Sequence, residues 1–406
     1  MKKNNAKVTR RGLLQAGAGI ALGGVLGDTA MATPHSIGQS VYERLGVKHV
    51  INATGTVTIL GGSLMPPEVA AAWVDASHHF VNLLDLHDKV GAKIARLIGV
   101  EAALVTTGAA GALLLGTAAV VTRGDRDAIR RLPDTAGLKN EVLIQRSHHS
   151  CYDNQLTGVG TRLIDVESAD DVARAVGDRT ALMFFMNHAE PSGRIAKPEW
   201  LELAHRHNIP TLLDAAADVP PLDRLAGYNR MGFDLVAFSG GKAIRGPNDT
   251  GLLLGKRELI AAGKLNANPH CGTIGRMMKV SKEDMIALLY AVERFVTLDH
   301  EAERREFERR IAVIEDAVRG IPSVELERIV PAIANHVPHL QIAWDERRLK
   351  VTRARLTRAL AEGEPPIQIG RVSGTGDRGI LISVLTLQPG EERVIADRLR
   401  ASLMPK

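Results

Sequence analysis

Lys242 and Asp214 are the residues of this chain whose types and spacing point most directly to chemistry. Lys242 stands in Phe238-Ser239-Gly240-Gly241-Lys242-Ala243-Ile244-Arg245-Gly246-Pro247, just past Asp234-Leu235-Val236-Ala237-Phe238, which reads as a buried strand. A lysine in a small-residue turn at the end of such a strand can form an imine with an aldehyde. Upstream, Thr211-Leu212-Leu213-Asp214 reads as a second buried strand, ending in a carboxylate. The pair matches what pyridoxal 5'-phosphate requires. An amine holds its aldehyde, and a carboxylate keeps the pyridine nitrogen protonated so that the ring accepts electrons. Either residue alone also reads as surface chemistry, a lysine after a strand or an aspartate capping a turn. The two together, with a phosphate loop, do not.

That loop is Thr106-Thr107-Gly108-Ala109-Ala110-Gly111, a strand-to-helix join. Free N–H groups and the helix dipole make such a start an anion site. Gly108 lets the backbone approach a phosphate, Ala109 offers its N–H and Thr107 its hydroxyl; Ser239, three residues before Lys242, is placed to join them. Ser147-His148-His149-Ser150 follows a strand at 141–145 and therefore lies at a carboxyl edge, where α/β sheets bind ligands. An imidazole stacked on the cofactor ring would fix its tilt and pass protons, and His148 is the favoured candidate. His148, His149 and Cys151 find no further ligand at zinc spacing, so no metal is expected. Asp218 reads as a turn residue or as a partner of Asp214. Arginine pairs both oxygens of a carboxylate at once. Arg371, closing Pro366-Ile367-Gln368-Ile369-Gly370-Arg371, is the expected anchor for a substrate carboxylate, with Arg245 and Arg276 competing for that role or for a phosphate.

The elements that position these groups alternate. Strand-like runs at 102–106, 141–145, 162–165 and 180–187 are interleaved with helix-like runs at 109–121, 169–176 and 198–208. That pattern predicts an α/β fold with a mainly parallel sheet covered on both faces. Pro66-Pro67 opens a helix expected over 68–80. A single long helical pattern spans 283–319. Beyond Pro322, strands at 340–344, 367–371 and 379–384 surround a helix at 352–362, and a last helix covers 391–403, an α+β arrangement.

Length sets two domains as the expectation for 406 residues. The isoelectric point near 9.2 suggests a polyanion partner. However, Lys2, Lys3, Lys7, Arg10 and Arg11 against Asp28 place +4 of the formal +5 in the first 32 residues. The remaining +1 leaves no electrostatic footprint for nucleic acid. Two cysteines, Cys151 and Cys271, form no disulfide framework, and whether they pair stays open. The basic start itself has the form of an export signal. Thr9-Arg10-Arg11-Gly12-Leu13-Leu14 precedes a Gly/Ala-rich apolar run and Ala30-Met31-Ala32, as in twin-arginine signals with an A-x-A cleavage site. A periplasmic location is expected, or a cytoplasmic one if the signal does not function.

The chain resembles the fold-type I pyridoxal-phosphate enzymes of the selenocysteine synthase-like group, which includes D-glucosaminate-6-phosphate ammonia-lyase. The likeness runs from about Val50 to Gly390. It rests on Ile51-Asn52-Ala53-Thr54-Gly55, Leu212-Leu213-Asp214-Ala215-Ala216-Ala217, Phe238-Ser239-Gly240-Gly241-Lys242 and Gly275-Arg276-Met277-Met278-Lys279-Val280-Ser281-Lys282. It implies a large domain over 50–296 with a mainly parallel seven-stranded sheet, and a small α+β domain over 297–406. A segment at 33–49 would pack with the small domain, after a signal at 1–32. It also implies that Lys242 carries the cofactor, that Asp214 meets the pyridine nitrogen, and that a homodimer or larger assembly brings Arg276 and Lys279 to a neighbour's site. The tRNA-dependent selenium transferases carry an added amino-terminal tRNA-binding region, whereas here only Thr33 to Lys48 precede the first motif. Elimination from a β-hydroxy α-amino acid or amino sugar acid, giving a 2-keto acid and ammonia, is therefore the expected reaction, with Lys242 as base and a histidine as acid. Racemisation and retro-aldol cleavage share the same first imine. A binding protein that has lost activity would need neither Lys242 nor Asp214.

Overall fold

The computed structural model describes residues 40–370 and 379–404. The export signal at 1–32, the segment to 39 and Arg371 lie outside the described residues. Contacts divide the chain after His49. Of the first unit, residues 40–49 hold one 3-10 turn over Glu43–Leu45, closed by Gly46 in the left-handed region.

The second unit begins with β1 (Ile51–Ala53), followed by α1 (Pro67–Ser77) and α2 (Leu83–Ile98). Then come β2 (Ala102–Thr107), α3 (Gly108–Thr122), β3 (Glu141–Gln145), β4 (Arg162–Val166), β5 (Thr180–Met186), α4 (Lys197–Arg206), β6 (Thr211–Asp214), α5 (Arg224–Met231), β7 (Leu235–Ser239), β8 (Thr250–Gly255) and α6 (Arg257–Asn266). Seven of these strands form one sheet in the order β2-β8-β7-β6-β5-β3-β4. Only β8 runs against its neighbours, β2 and β7; the other pairings are parallel. The carboxyl ends of β2, β3, β4, β5, β6 and β7 therefore share one edge, and Thr107, Asp214 and Ser239 are the last residues of their strands.

The strands read as unbroken apolar runs because both faces are covered. Leu213, Val236 and Phe238 point into one cluster with α1 and α2, while Leu212, Leu235 and Ala237 point into another with α3. From Gly111 to Thr122 every residue of α3 except Leu114 is buried. This explains a helix apolar on all sides without membrane character. Among the described residues no helix is long and apolar enough to cross a membrane.

The long helical pattern after Ser281 is two helices, α7 (Lys282–Thr297) and α8 (His300–Val318). Leu298 is extended, and Asp299 caps α8 by accepting from the Ala302 N–H at 2.9 Å. The remaining elements are β9 (Val324–Ile329), β10 (His339–Trp344), α9 (Arg353–Ala361), β11 (Ile367–Ile369), β12 (Ile380–Ser383) and α10 (Glu391–Leu403). Here β12-β10-β9 form an antiparallel sheet backed by a third apolar cluster that includes residues of α8, α9 and α10. A boundary at Val50 assigns β1 to the large domain, yet β1 pairs in parallel with β11, and Ile51 and Ala53 lie in this third cluster. Two short apolar residues at alternate positions are too weak a signal to show which core they enter.

Candidate active site

Asp214 ends β6, and Lys242 follows three residues after the end of the neighbouring β7. β6 and β7 run parallel with Asp214 opposite Ala237, so the chain leaves β7 beside the carboxylate and turns through Gly240 and Gly241 into Lys242. The turn has room only for glycine: a Cβ on Gly241 would lie 2.4 Å from Asn248 Cα. Ser63, which the sequence reading passed over, locks it by donating its hydroxyl to the carbonyls of Gly241 (2.9 Å) and Lys242 (2.7 Å). Arg245 N–H closes the far side onto Lys242 O at 3.0 Å.

The electrostatics of the pair are opposed. Burial pushes the Lys242 ammonium below its ordinary value, while Asp214 and then Asp218 hold it up. Burial likewise pushes Asp214, only 6 % exposed, above the usual carboxylate range. The Ala216 N–H, 2.9 Å from Oδ1, and the Lys242 charge pull it back. Such a lysine is held nearer neutrality, and such an aspartate gains from a cationic partner.

At the β2 end, Thr107 takes the N-cap position of α3 without its side chain bonding the first turn. The N–H groups opening α3 and the Thr107 hydroxyl are thus available to an anion. Nothing lies within 4 Å of where a Cβ on Gly108 would stand, so the approach is open. Ser239 lies across β8 from this loop, both facing Gly251 or its neighbour Thr250 in register. The donors for a phosphate, the carboxylate for a pyridine nitrogen and the amine for an aldehyde therefore share one sheet edge. These residues fit pyridoxal phosphate.

The histidines are placed otherwise than the sequence suggested. His148 is fully buried. Its Nδ1 accepts the Met186 N–H at 3.3 Å, and its ring stands edge-on to Phe185 at 4.4 Å between centroids. Burial, then the charges of His188 and Lys197, lower it to about 4. It has no open ring face for a cofactor, so it is not the stacking group. His149 is bonded at both ring nitrogens, to Asp153 (2.6 Å) and Asp165 (2.7 Å). Burial lowers its proton affinity, but the two carboxylates outweigh that and raise it overall.

Two residues that the sequence reading missed stand closer to the reacting groups. His188 is exposed just after β5, whose Met186 is the register partner of Asp214, and its charge acts on Asp214. Tyr152 is half-exposed; burial first, then Cys151 and Asp214, raise its hydroxyl. Only the adjacency of β5 and β6 could have pointed to His188.

Of the arginines, Arg245 is turned to the carboxy-terminal part, donating to Leu385 O at 3.3 Å and lying 3.6 Å from Glu303. It is committed there rather than offered to an anion. Arg276 and Lys279 are exposed. Cys151 and Cys271 are free and exposed. Among the described residues no cluster of His, Cys, Asp or Glu could hold a metal ion.

A family model described as SelA: L-seryl-tRNA selenium transferase matches residues 50–309. The chain belongs to this family. Relatives of the SelA-family chain include a D-glucosaminate-6-phosphate ammonia lyase of Salmonella typhimurium, 34% identical over 63% of this chain and 70% of that one. A 5'-C-glycyluridine monooxygenase-decarboxylase of a Streptomyces species is 30% identical over 69% and 72%. An L-seryl-tRNA(Sec) selenium transferase of Moorella thermoacetica is 24% identical over 93% and 87%. The solved structure of D-glucosaminate-6-phosphate ammonia-lyase superposes with a TM-score of 0.77 at 27% identity, covering 90% of this chain and 99% of that one. A Sphingomonas wittichii serine palmitoyltransferase shares the fold, with a TM-score of 0.55 at 12% identity over 87% of each chain. The architecture is the fold-type I fold of pyridoxal-phosphate enzymes.

Proposed function

We propose that this protein is a pyridoxal 5'-phosphate-dependent ammonia-lyase acting on a β-hydroxy α-amino acid of the amino sugar acid kind. The products are a 2-keto acid and ammonia, since the water lost with the β-hydroxyl is balanced by the water that hydrolyses the enamine. The observation that carries this reading is the buried Asp214 at the end of β6 with Lys242 on the turn that leaves the adjacent β7, beside an uncapped helix start. The likeness to a relative named as an ammonia lyase, in sequence and in fold, supports the reaction class.

When bound, the cofactor supplies an electron sink for negative charge at the substrate Cα. The chain's residues do the rest. Lys242 holds the cofactor aldehyde. Freed from the cofactor, the Lys242 amine, whose proton affinity burial lowers, would take the Cα proton. Asp214 holds a proton at the pyridine nitrogen. Thr107, the N–H groups of Gly108 and Ala109, and Ser239 hold the phosphate. His188 takes the general-acid role that the sequence reading gave to His148, because it is exposed at the edge while His148 is sealed. It delivers a proton to the leaving hydroxyl, and the released enamine hydrolyses to keto acid and ammonia. Arg371 is the proposed anchor for the substrate carboxylate. A second copy of the chain would bring Arg276 and Lys279, and would cover exposed apolar side chains such as Ile59, Leu64, Phe80 and Met277.

The test begins with borohydride reduction of the purified holoenzyme and peptide mapping, which should place the pyridoxyl group on Lys242. β-Hydroxy amino acids and amino sugar acids are then offered, with keto acid, ammonia and dioxygen all measured. Keto acid and ammonia in equal amounts without oxygen uptake support the reading. Label on another lysine refutes the site. Oxygen uptake with decarboxylation would move the chain toward the Streptomyces relative's reaction.

A further inference from the structure

A second carboxylate lies buried four residues beyond Asp214. Asp218 is 1 % exposed, on the turn that leaves β6, and its N–H bonds Ala215 O at 3.1 Å. Its Oδ2 accepts two hydrogen bonds, from Asn187 Nδ2 and from the Tyr228 hydroxyl at 3.1 Å. Asn187, also fully buried, donates to Tyr228 as well (2.9 Å), while its Oδ1 accepts from Lys197 Nζ at 2.8 Å. Lys197 in turn meets Glu190 and stands 5.9 Å from the ring centres of Phe185 and Tyr228.

Burial pushes Asp218 above the usual carboxylate range, and the two donors at Oδ2, then the charges of Arg224 and Lys197, act against that in favour of the ionised acid. The groups facing Asp218 come from four elements. These are Asp214 on its own turn, Lys242 beyond β7, Lys197 at the start of α4, and Tyr228 and Arg224 on α5, with Arg224 donating to Asp218 O at 3.2 Å. His188 faces Asp214 from the end of β5. Nothing in the proposed reaction uses this network, yet an uncompensated buried carboxylate costs several kcal/mol.

We propose that Asp218, buried on the turn after Asp214 and held there by Asn187 and Tyr228, is a positioning residue: it fixes a negative charge behind the Asp214 and Lys242 end of the site. The charge would favour a proton on the pyridine nitrogen beside Asp214 and on the Lys242–cofactor link. Lys197 compensates it at one remove, through Asn187, so that the network does not discharge it. In Asp214 and Lys242 the direction of Asp218's influence is upward. The inference rests on the pyridoxal-phosphate reading of Lys242 and Asp214.

The experiment is a pH titration of the visible absorbance of the bound cofactor, in wild-type holoenzyme and in Asp218→Asn, Tyr228→Phe and Asp223→Asn. Asp218→Asn should move the midpoint to lower pH, because the charge that favoured the protonated link is gone. Tyr228→Phe should move it the same way by less, since an Asp218 with one donor fewer is ionised less completely. Asp223→Asn removes an exposed carboxylate paired with Arg230 and should leave the midpoint in place. A purely structural Asp218 would lower thermal stability without moving any midpoint. An unmoved midpoint in folded Asp218→Asn overturns the proposal. If that variant does not fold, an unmoved midpoint in Tyr228→Phe does so. A wild-type protein with no visible band when loaded with pyridoxal phosphate instead removes the Lys242 reading, and this proposal with it.

Discussion

Replacing Gly251 by alanine should cost cofactor affinity without replacing any residue that would contact the cofactor. Gly251 lies in β8, in register with Thr106 on one side and Ser239 on the other. A Cβ added there would stand 2.2 Å from Gly108 C, 2.3 Å from Gly108 O and 2.7 Å from Ala109 N, all backbone atoms that no rotamer change can move aside. Packed interiors have little slack, so restoring ordinary contact displaces the start of α3 by about 1 Å. A hydrogen bond of about 2.9 Å from its N–H groups to a phosphate then lengthens beyond reach. One bond to a charged group is worth roughly 1.5–3 kcal/mol, so pyridoxal phosphate should bind about ten- to hundredfold more weakly. Overpacking should also remove about 1–3 kcal/mol of stability. The assay is equilibrium titration of apo-protein with pyridoxal phosphate, alongside thermal unfolding. Gly177→Ala, where nothing lies within 4 Å, serves as the control and should change neither. Wild-type cofactor affinity in folded Gly251→Ala would refute the placement of the phosphate at this helix start.

Three further outcomes are expected. Asp214→Asn keeps the shape of the site but cannot hold the pyridinium proton by charge; cofactor should still bind while keto-acid formation falls by orders of magnitude, and near-normal turnover would contradict the electron-sink account. His148 protonates near 6.5 when unfolded and at about 4 when folded. Between those values the unfolded state takes the proton and the folded state does not, so this histidine removes stability as pH falls, by about 3 kcal/mol across the window; His148→Asn should flatten denaturant-derived stability against pH there, and an unchanged slope would count against it. Finally, we propose export from Arg10-Arg11 and the Ala30-Met31-Ala32 site: changing both arginines to lysine should retain the chain in the cytoplasm, mass spectrometry of exported wild type should show a start near Thr33, and an unprocessed cytoplasmic wild-type chain would remove the export reading.

Much of the fold was legible because the inner strands of the seven-stranded sheet are buried on both faces, so each of these shows as a short apolar run between polar turns. Thr180–Met186 and Thr211–Asp214 are of this kind. Val324–Ile329 was missed because it is an edge strand with alternating exposed Glu325, Glu327 and Arg328, which reads as a polar connection. The break between α7 and α8 was missed because both helices keep the same period and only Asp299, an N-cap, marks it. The placing of Lys242 and Asp214 at one sheet edge was legible because each follows or ends a short apolar strand. His148 and His149 were not separable: both follow β3, and only tertiary packing against Phe185 seals the first while carboxylates from α-helical and β4 positions claim the second. Asp218 read as a turn residue or a partner of Asp214. Its actual partners, Asn187 and Tyr228, come from segments 31 and 10 residues away, and no local pattern announces them.

The division between what is fixed and what can vary in this site follows from where each group is mounted. Lys242, Asp214 and the start of α3 sit on the ends of paired strands and a buried helix, so their relative placement is set by sheet register and cannot drift without breaking hydrogen-bond ladders. His188 and Tyr152 follow β5 and β3 on exposed segments; such positions can change residue type without disturbing the sheet. Relatives of this chain bear names as different as ammonia lyase, monooxygenase-decarboxylase and selenium transferase. The choice among bonds to Cα depends on which one stands perpendicular to the ring, and that is decided by the groups gripping the substrate, not by Lys242 or Asp214. Exchanging His188 should therefore alter the fate of the substrate after Cα deprotonation, while Lys242 labelling and cofactor affinity stay as they are. Loss of the cofactor link in His188→Ala would place that histidine among the fixed groups and weaken the division.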